Sequence, residues 1–198
     1  GVWENKGGRS LREAGVYPIN GGMEVYTNSP LARESRKTTL ELILSNHDKS
    51  CLTCVRNRNC ELQSMAEELG ISELPYESSE SSSRAKIDDL SPSIVRDNNK
   101  CILCRRCVTV CNQIQKVGAI NAQNRGFDTV ISPAMGLPLN STACAMCGQC
   151  VSVCPTGALS ETDAIQPVWK ALENPEKVTV IQVAPAVRAA LGEEFGMP

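Results

Sequence analysis

Eleven cysteines and a single histidine are the residues of this 198-residue chain whose types and spacing suggest chemistry. Because eleven is an odd number, the cysteines cannot all pair in internal disulfides. Together with the histidine they make twelve donors, enough for three sets of four. Four donors are what a tetrahedral zinc ion or a cubane iron–sulfur cluster requires. The sequence therefore predicts three metal centres in a protein of a reducing compartment, which we expect to be the cytoplasm.

Eight of the cysteines form two runs with one shared spacing, C-x-x-C-x-x-C-x-x-x-C. This is the spacing of bacterial ferredoxins, and Pro155 completes the second run, whereas Asn112 stands at that position in the first. Three cysteines of a run wrap one 4Fe–4S cluster, and the fourth reaches the other cluster. The predicted ligand sets are Cys101, Cys104, Cys107 with Cys154, and Cys144, Cys147, Cys150 with Cys111. The alternative is a pair of zinc knuckles, which usually use paired C-x-x-C spacings instead.

The remaining donors are His47, Cys51, Cys54 and Cys60, which follow one another closely in the chain. They predict a His-ligated 4Fe–4S cluster, because this is the only histidine and a fourth ligand is otherwise missing. A Cys3His zinc site, or three cysteines on a cluster with an open or non-protein fourth position, are the alternatives. A neutral imidazole in place of a thiolate should make such a cluster easier to reduce.

Composition narrows the classes of function. Twenty basic and 22 acidic residues give a net charge of −2, which offers no support for nucleic-acid binding. No apolar run approaches the roughly 18 residues of a membrane span. Aromatic residues make up only 4% of the chain, which is little for a large core. We therefore expect small domains that are held together by their metal centres.

Local patterns indicate which elements position the ligands. Ser29 and Pro30 predict the start of a helix that runs to about Leu44 and ends just before His47. A strand is expected at 23–27, a second helix between Cys60 and a C-terminal Gly70, and a hairpin from the apolar runs 117–120 and 127–131. Further predictions are a helix that starts at Ser160 and is kinked at Pro167, a β-rich stretch at 178–183 and an amphipathic helix at 186–195.

The predicted fold class is α+β, with a His/Cys3 4Fe–4S domain followed by a two-cluster domain like bacterial ferredoxin. The serine-rich stretch around Glu80 separates the two. The expected organisation is an N-terminal stretch at 1–27, which the resemblance described next implies is a cluster-free remnant of a 2Fe–2S domain, then the His/Cys3 domain at 28–75, a linker at 76–92, the two-cluster domain at 93–165 and the start of a further domain at 166–198.

The ligand pattern as a whole resembles one family. His47-x3-Cys51-x2-Cys54-x5-Cys60 before two ferredoxin runs is similar to the N-terminal iron–sulfur accessory region of iron-only (FeFe) hydrogenases, and to the large relay subunit of NADH dehydrogenases and some formate dehydrogenases. The tail from Val183 to Met197 resembles the opening of the hydrogenase catalytic domain. The stretch from Gly8 to Thr27 resembles the end of a plant-type 2Fe–2S domain, but Gly15 stands where that family has a cysteine, so no 2Fe–2S cluster is expected.

The resemblance implies an electron-transfer module with three 4Fe–4S clusters in an FeFe-hydrogenase-type, NAD(P)-linked complex. Its partners would be a flavin- or NAD-binding subunit, a hydrogenase or other catalytic subunit, or a ferredoxin. The alternatives are a relay subunit of an NADH or formate dehydrogenase, a truncated hydrogenase catalytic subunit, and an interaction domain whose fold is stabilised by zinc. Whether the chain is itself an enzyme stays open: every cysteine is committed to the three sites, so we expect an oxidoreductase subunit without a catalytic site of its own.

Overall fold

The structure, a computed structural model, describes residues 2–5, 11–77 and 87–196, so the serine-rich stretch 78–83 lies outside the described residues. The chain forms two compact units, Gly1–Thr162 and Asp163–Pro198. Short helices and strands are mixed within the first unit, in the order β1 (Val2–Asn5), β2 (Leu11–Glu13), β3 (Val25–Tyr26), α1 (Pro30–Ser45), α2 (Glu61–Glu68), β4 (Ile87–Asp88), β5 (Ile94–Asp97), α3 (Arg106–Thr109), β6 (Asn121–Gln123), β7 (Val130–Ser132), α4 (Gln149–Ser152) and β8 (Leu159–Glu161).

The N-terminal strands form a small antiparallel sheet in the order β2-β1-β3. Trp3 is buried and meets the ring of Tyr17 edge to face, with ring centroids 5.7 Å apart. The Arg36 guanidinium on α1 donates a 2.7 Å hydrogen bond to the carbonyl of Val2 and so attaches this sheet to the helix. The predicted strand at 23–27 is confirmed as the shorter β3, whereas residues 8–10 of the stretch that resembles a 2Fe–2S domain lie outside the described residues.

The two helices that flank the first ligand group begin and end where the sequence predicts. The Ser29 hydroxyl accepts a 3.2 Å hydrogen bond from the backbone N–H of Ala32, and Pro30 occupies the first turn of α1. Such caps satisfy N–H groups that have no partner inside the helix. After α2 the chain turns at Gly70, whose φ of +61° is a left-handed conformation that glycine adopts without strain. His47 therefore lies directly after one helix, and Cys60 directly before the next.

The second ligand group is carried by an antiparallel sheet of order β4-β5-β8 and by the hairpin β6-β7. Strand β4 lies inside the stretch 76–92 that we expected to be a linker. The hairpin is confirmed, but its first strand follows Ile120 instead of containing it, and Phe127 falls in a 3-10 turn. The packed core is small: Ile94, Cys107, Ile120, Ile131, Leu139, Val151 and Leu159.

One predicted helix start is wrong. Ser160 belongs to strand β8, where it pairs with Val95 of β5. The carboxylate of Asp163 instead accepts a 2.8 Å hydrogen bond from the N–H of Ile165, where the helix begins. Pro167 consequently lies in the first helical turn, where its missing N–H breaks no hydrogen bond, so it does not kink the helix.

The second unit consists of α5 (Ile165–Leu172), the extended stretch 178–183 and α6 (Pro185–Phe195). Helix α6 confirms that residues 186–195 are helical, but its apolar residues are not gathered on one face as the prediction of an amphipathic helix required. The β-rich stretch at 178–183 forms no strand in the described part of the chain, because β propensity alone does not supply a neighbouring strand to pair with. Among the described helices, none is long and apolar enough to cross a membrane.

A buried ion pair joins the sheet to the segment that contains the hairpin. Arg96 and Asp88 are both 6% exposed, and their Nη2 and Oδ2 atoms lie 3.0 Å apart. Arg96 Nη1 donates to the carbonyl of Ile131, and Asp88 Oδ2 also accepts a 2.9 Å hydrogen bond from the N–H of Leu139. One pair of charges thus connects β4, β5, β7 and the turn after the hairpin.

We predict that Asp88→Asn destabilises the chain by about 3–5 kcal/mol, because it leaves the buried Arg96 charge without its counter-ion. The control is Glu61→Gln, which changes an exposed pair: Glu61 and Arg106 are joined by two hydrogen bonds, and their side chains are 55% and 49% exposed. Exposed pairs contribute about 0–1 kcal/mol, so the control should change little. The measurement is denaturant unfolding of the iron-loaded chain. If both variants shift the denaturant midpoint equally, the buried pair does not contribute more to stability than the exposed pair, and the prediction is wrong.

Candidate iron–sulfur centres

The two ferredoxin-type runs repeat each other in backbone conformation as well as in sequence. Two residues in each run have a left-handed conformation, and they occupy equivalent positions: Leu103 (φ 57°), Arg105 (φ 60°), Met146 (φ 53°) and Gly148 (φ 71°). In each run the residue two after the first cysteine directs its N–H at that cysteine's sulfur, Leu103 to Cys101 and Met146 to Cys144, both at 3.4 Å. Three of the four left-handed residues are not glycine, and such backbone strain concentrates at functional sites.

Four cysteines line one cavity between the two runs. Its walls include Cys101, Cys104 and Cys107 of the first run together with Cys154 of the second. Burial raises the pKa of Cys107 to about 12, and Cys101, Cys154, Cys104 and Cys150 lie close enough to add to the rise. The fourth cysteine of the second run therefore lies with the first three of the other run.

A second group forms around Cys150. Burial raises its pKa to about 11, and the neighbouring cysteines that raise it further are Cys144, Cys111 and Cys147. Cys111 comes from the first run, where it lies in the π-helical turn Val110–Ile114 that follows α3. The pairing of a fourth cysteine with the opposite run thus occurs in both directions. Cys150 also raises the pKa of Cys107, so the two groups of cysteines are adjacent.

His47 lies in the turn after α1, where its backbone N–H donates to the carbonyl of Leu44. Its Nδ1 atom is buried and has no hydrogen-bond partner among the described residues. Burial lowers the pKa of His47, Lys100 lowers it further, and Asp48 and Asp97 oppose the change. The imidazole is therefore held in the neutral form, which is the form that binds a metal.

The three cysteines that follow are arranged by short turns. Cys51 begins the 3-10 turn Cys51–Thr53, and the N–H of Cys54 donates to the Cys51 carbonyl at 3.0 Å. Cys60 is the residue before the first turn of α2. Within residues 2–5, 11–77 and 87–196, no three His, Cys, Asp or Glu side chains converge tightly enough to hold a single metal ion. The described turns bring Cys51 and Cys54 together, and both His47 and Cys54 lie near Lys100.

The donor set suits 4Fe–4S clusters. Such a cluster uses thiols that line a shared cavity and backbone N–H groups directed at their sulfurs. It can also use a neutral imidazole such as that of the half-buried His47, whose Nδ1 atom is buried. Because burial keeps Cys107 and Cys150 protonated in the free chain, inserting a cluster must release their protons.

Two nearby residues were not found from the sequence. Lys100 lies between the histidine group and the first ferredoxin group, with its ammonium 3.2 Å from Asp97 Oδ2. Gly157 is buried against Cys54. The position of Lys100 directly before Cys101, and that of Gly157 directly after Cys154-Pro-Thr, were the available signals.

Two family models match the chain at these groups. Residues 36–75 match the NADH-ubiquinone oxidoreductase-G iron–sulfur binding region, a 4Fe–4S domain. Residues 91–160 match the ferredoxin-like domain of NADH-quinone oxidoreductase subunit 3. These matches confirm small mixed helix and strand domains that bind 4Fe–4S clusters.

Three relatives agree with this class. A "NADP-reducing hydrogenase subunit HndD" of Solidesulfovibrio fructosivorans is 50% identical over 99% of this chain and 33% of its own. "Iron hydrogenase 1" of Clostridium pasteurianum is 34% identical over 90% of this chain and 31% of its own. A solved NAD+-reducing NiFe hydrogenase in the H2-reduced state superposes with a TM-score of 0.74 at 26% identity, covering 82% of this chain and 68% of that one. The chain spans about a third of the length of the two curated relatives.

The fold and the cysteine groups thus define an iron–sulfur module of hydrogenases and NADH dehydrogenases. Within that class the chain belongs to the N-terminal iron–sulfur accessory region of the iron-only hydrogenase family, which is related to the large relay subunit of NADH dehydrogenase, as the sequence predicted.

Proposed function

We propose that this chain relays electrons through three 4Fe–4S clusters. Two would be held by the ferredoxin-like stretch 93–165 and one by the His/Cys3 stretch 28–75, and no 2Fe–2S cluster would be held by the stretch 1–27. The proposed ligands are His47, Cys51, Cys54 and Cys60 for the first, Cys101, Cys104, Cys107 and Cys154 for the second, and Cys144, Cys147, Cys150 and Cys111 for the third.

The observation that carries the proposal is the exchange of fourth cysteines between the two runs. Cys154 lines the cavity of Cys101, Cys104 and Cys107, and Cys111 lies with the group around Cys150. A pair of independent zinc knuckles has no need of this exchange, since each would bind its ion within its own run. Clusters that share the two runs in this way are necessarily close, which favours transfer of electrons between them.

The histidine segment packs on the ferredoxin-like segment. The N–H of Asp48 donates to the carbonyl of Asn99 at 3.0 Å, and the N–H of Glu61 donates to the carbonyl of Pro155 at 3.3 Å. Arg106 binds Glu61 through two hydrogen bonds of 2.6 and 2.8 Å. A third cluster in this segment would therefore be next to the other two, so the three would form a continuous relay.

We further propose that the relay works inside a larger NAD(P)-linked complex of the hydrogenase type. Two relatives, by their names, reduce NADP or NAD+ and are hydrogenases. The partners of this chain would then be a flavin- or NAD-binding subunit and a catalytic subunit, or a ferredoxin. A relay role in an NADH dehydrogenase is the second candidate, and the two matching family models favour it.

We predict that the iron-loaded chain accepts electrons but makes no hydrogen by itself, because its eleven cysteines are all assigned to the three relay sites. The test adds a low-potential reductant anaerobically, follows bleaching of the visible absorption and assays hydrogen. Reduction without turnover, with hydrogen formed only after a catalytic partner is added, is the expected result. Turnover above that of free clusters would exclude a pure relay, and failure of the clusters to accept electrons would exclude a relay altogether.

A further inference from the structure

Cys54 lies directly against the backbone of Gly157, with no side chain between them. A Cβ atom placed on Gly157 would be 2.6 Å from the Cys54 sulfur, a distance that real Cβ contacts essentially never show. It would also be 3.4 Å from Cδ of Lys100 and 3.6 Å from Cγ2 of Val55. Gly157 is buried, so an added methyl group has no solvent to turn towards.

The conformation of the backbone does not require glycine at this position. Gly157 is absent from the described residues with positive φ, whereas Gly148 and Gly118 are among them. The other physical reason for a buried glycine is the close approach of another group to the backbone. Here that group is the Cys54 sulfur, a proposed ligand of the histidine site.

Gly157 belongs to the short turn that follows Cys154, a proposed ligand of the neighbouring site. Within this turn the Thr156 hydroxyl donates a 2.7 Å hydrogen bond to the carbonyl of Lys100 and lies 3.9 Å from the Cys154 sulfur. The turn is thus fixed to the first ferredoxin run at one end and covered by Cys54 at the other. The path from Cys54 to Cys154 consists of one van der Waals contact and three residues of buried backbone.

We propose that Gly157 is a positioning residue for electron exchange between the His47 site and the site of Cys101, Cys104, Cys107 and Cys154. Its missing side chain lets the two sites lie in contact. The inference rests on the proposed function, because it assumes that both sites hold 4Fe–4S clusters. The exchange moves one electron from a reduced site to an oxidised one; it makes and breaks no bond and needs no proton. The external electron source in the test is dithionite.

The test compares the full iron-loaded chain with two variants, Gly157→Ala and the control Gly21→Ala. Gly21 suits the control because a Cβ atom placed on it would have no atom within 4 Å and because its φ is not positive. After reduction with dithionite, electron paramagnetic resonance measures the broadening of the His47-site signal by its reduced neighbour. In Gly157→Ala we expect this broadening to weaken, or the signal to disappear together with about four of about twelve iron atoms. Gly21→Ala should match the unmodified chain.

Unchanged broadening and iron content in Gly157→Ala would overturn the inference, as would an unmodified chain that holds iron at both sites without mutual broadening. An unmodified chain that binds no iron–sulfur clusters would overturn the proposed function itself, so the two failures are distinct.

A mutant cycle with Cys54→Ala covers the case in which Gly157→Ala does not fold. Removing the Cys54 sulfur removes the atom that the new methyl group would meet. The double variant Cys54→Ala with Gly157→Ala should therefore keep the same iron at the two ferredoxin-type sites, and the same thermal midpoint, as Cys54→Ala alone. If Gly157→Ala lowers the iron content and the thermal midpoint equally with and without the Cys54 sulfur, the glycine is needed for the conformation of its own turn. The inference is then wrong.

Discussion

His47→Ala is expected to leave the chain with about eight of about twelve iron atoms, because one of three 4Fe–4S centres loses a ligand that no other residue replaces. His47 is the only histidine, and its Nδ1 atom is buried without a partner among the described residues. A buried polar atom without a hydrogen bond is costly, and a ligand role for the ring accounts for its burial. Iron analysis and electron paramagnetic resonance of the reduced protein measure the loss.

The companion variant His47→Cys should restore the centre at a lower potential, since a thiolate adds negative charge. In Rieske centres two histidines replace two cysteines, and the reduction potential is about 250 mV or more above that of plant-type ferredoxins. One exchange in the opposite direction should therefore lower the potential by about 100 mV or more. The exposed neighbour Lys49 provides the control, because Lys49→Ala should change neither iron content nor potential. Unchanged signals in both His47 variants would remove the histidine from the ligand set.

Removal of iron and sulfide is expected to unfold most of the first unit. Among the described residues, the core cluster around the ferredoxin runs has seven buried members, one of which is Cys107, and Cys101, Cys111, Cys144, Cys150 and Cys154 pack against it. The clusters would therefore fill part of the core, and their binding energy would be part of the folding energy. Without them, the charged pair of Arg96 and Asp88 would have few apolar neighbours to hold it in place.

Circular dichroism before and after anaerobic chelation measures this effect. We expect loss of the cooperative thermal transition, and its return when iron and sulfide are added back. A chelated chain that keeps a cooperative, native-like transition would show that the protein part folds independently of its clusters.

The sequence predicted the local elements around the proposed ligands because their signal is local. The spacing of each run, the cap at Ser29 and the turn at Gly70 all depend on residues within a few positions of one another. The left-handed residues such as Leu103 lie inside those runs, but their conformation is not a preference of the residue types, so the sequence did not predict it.

The features that the sequence did not reveal depend on distant residues. Ser160 is part of strand β8 because β5 lies beside it as a pairing partner. The stretch 178–183 also has high β propensity, but it has no partner strand in the described residues. Contacts between distant segments, such as Arg96 with Ile131 and Cys54 with Gly157, have no local pattern that could predict them.

The central claim is that three 4Fe–4S clusters occupy this chain, and the direct test is a count of metal and sulfide after anaerobic preparation. The account predicts about twelve iron and about twelve sulfide per chain, with Mössbauer parameters of cubane clusters throughout and one subsite that differs from the rest because an imidazole binds it. Stoichiometric zinc in place of iron, or a count near eight iron in the unmodified chain, would contradict it.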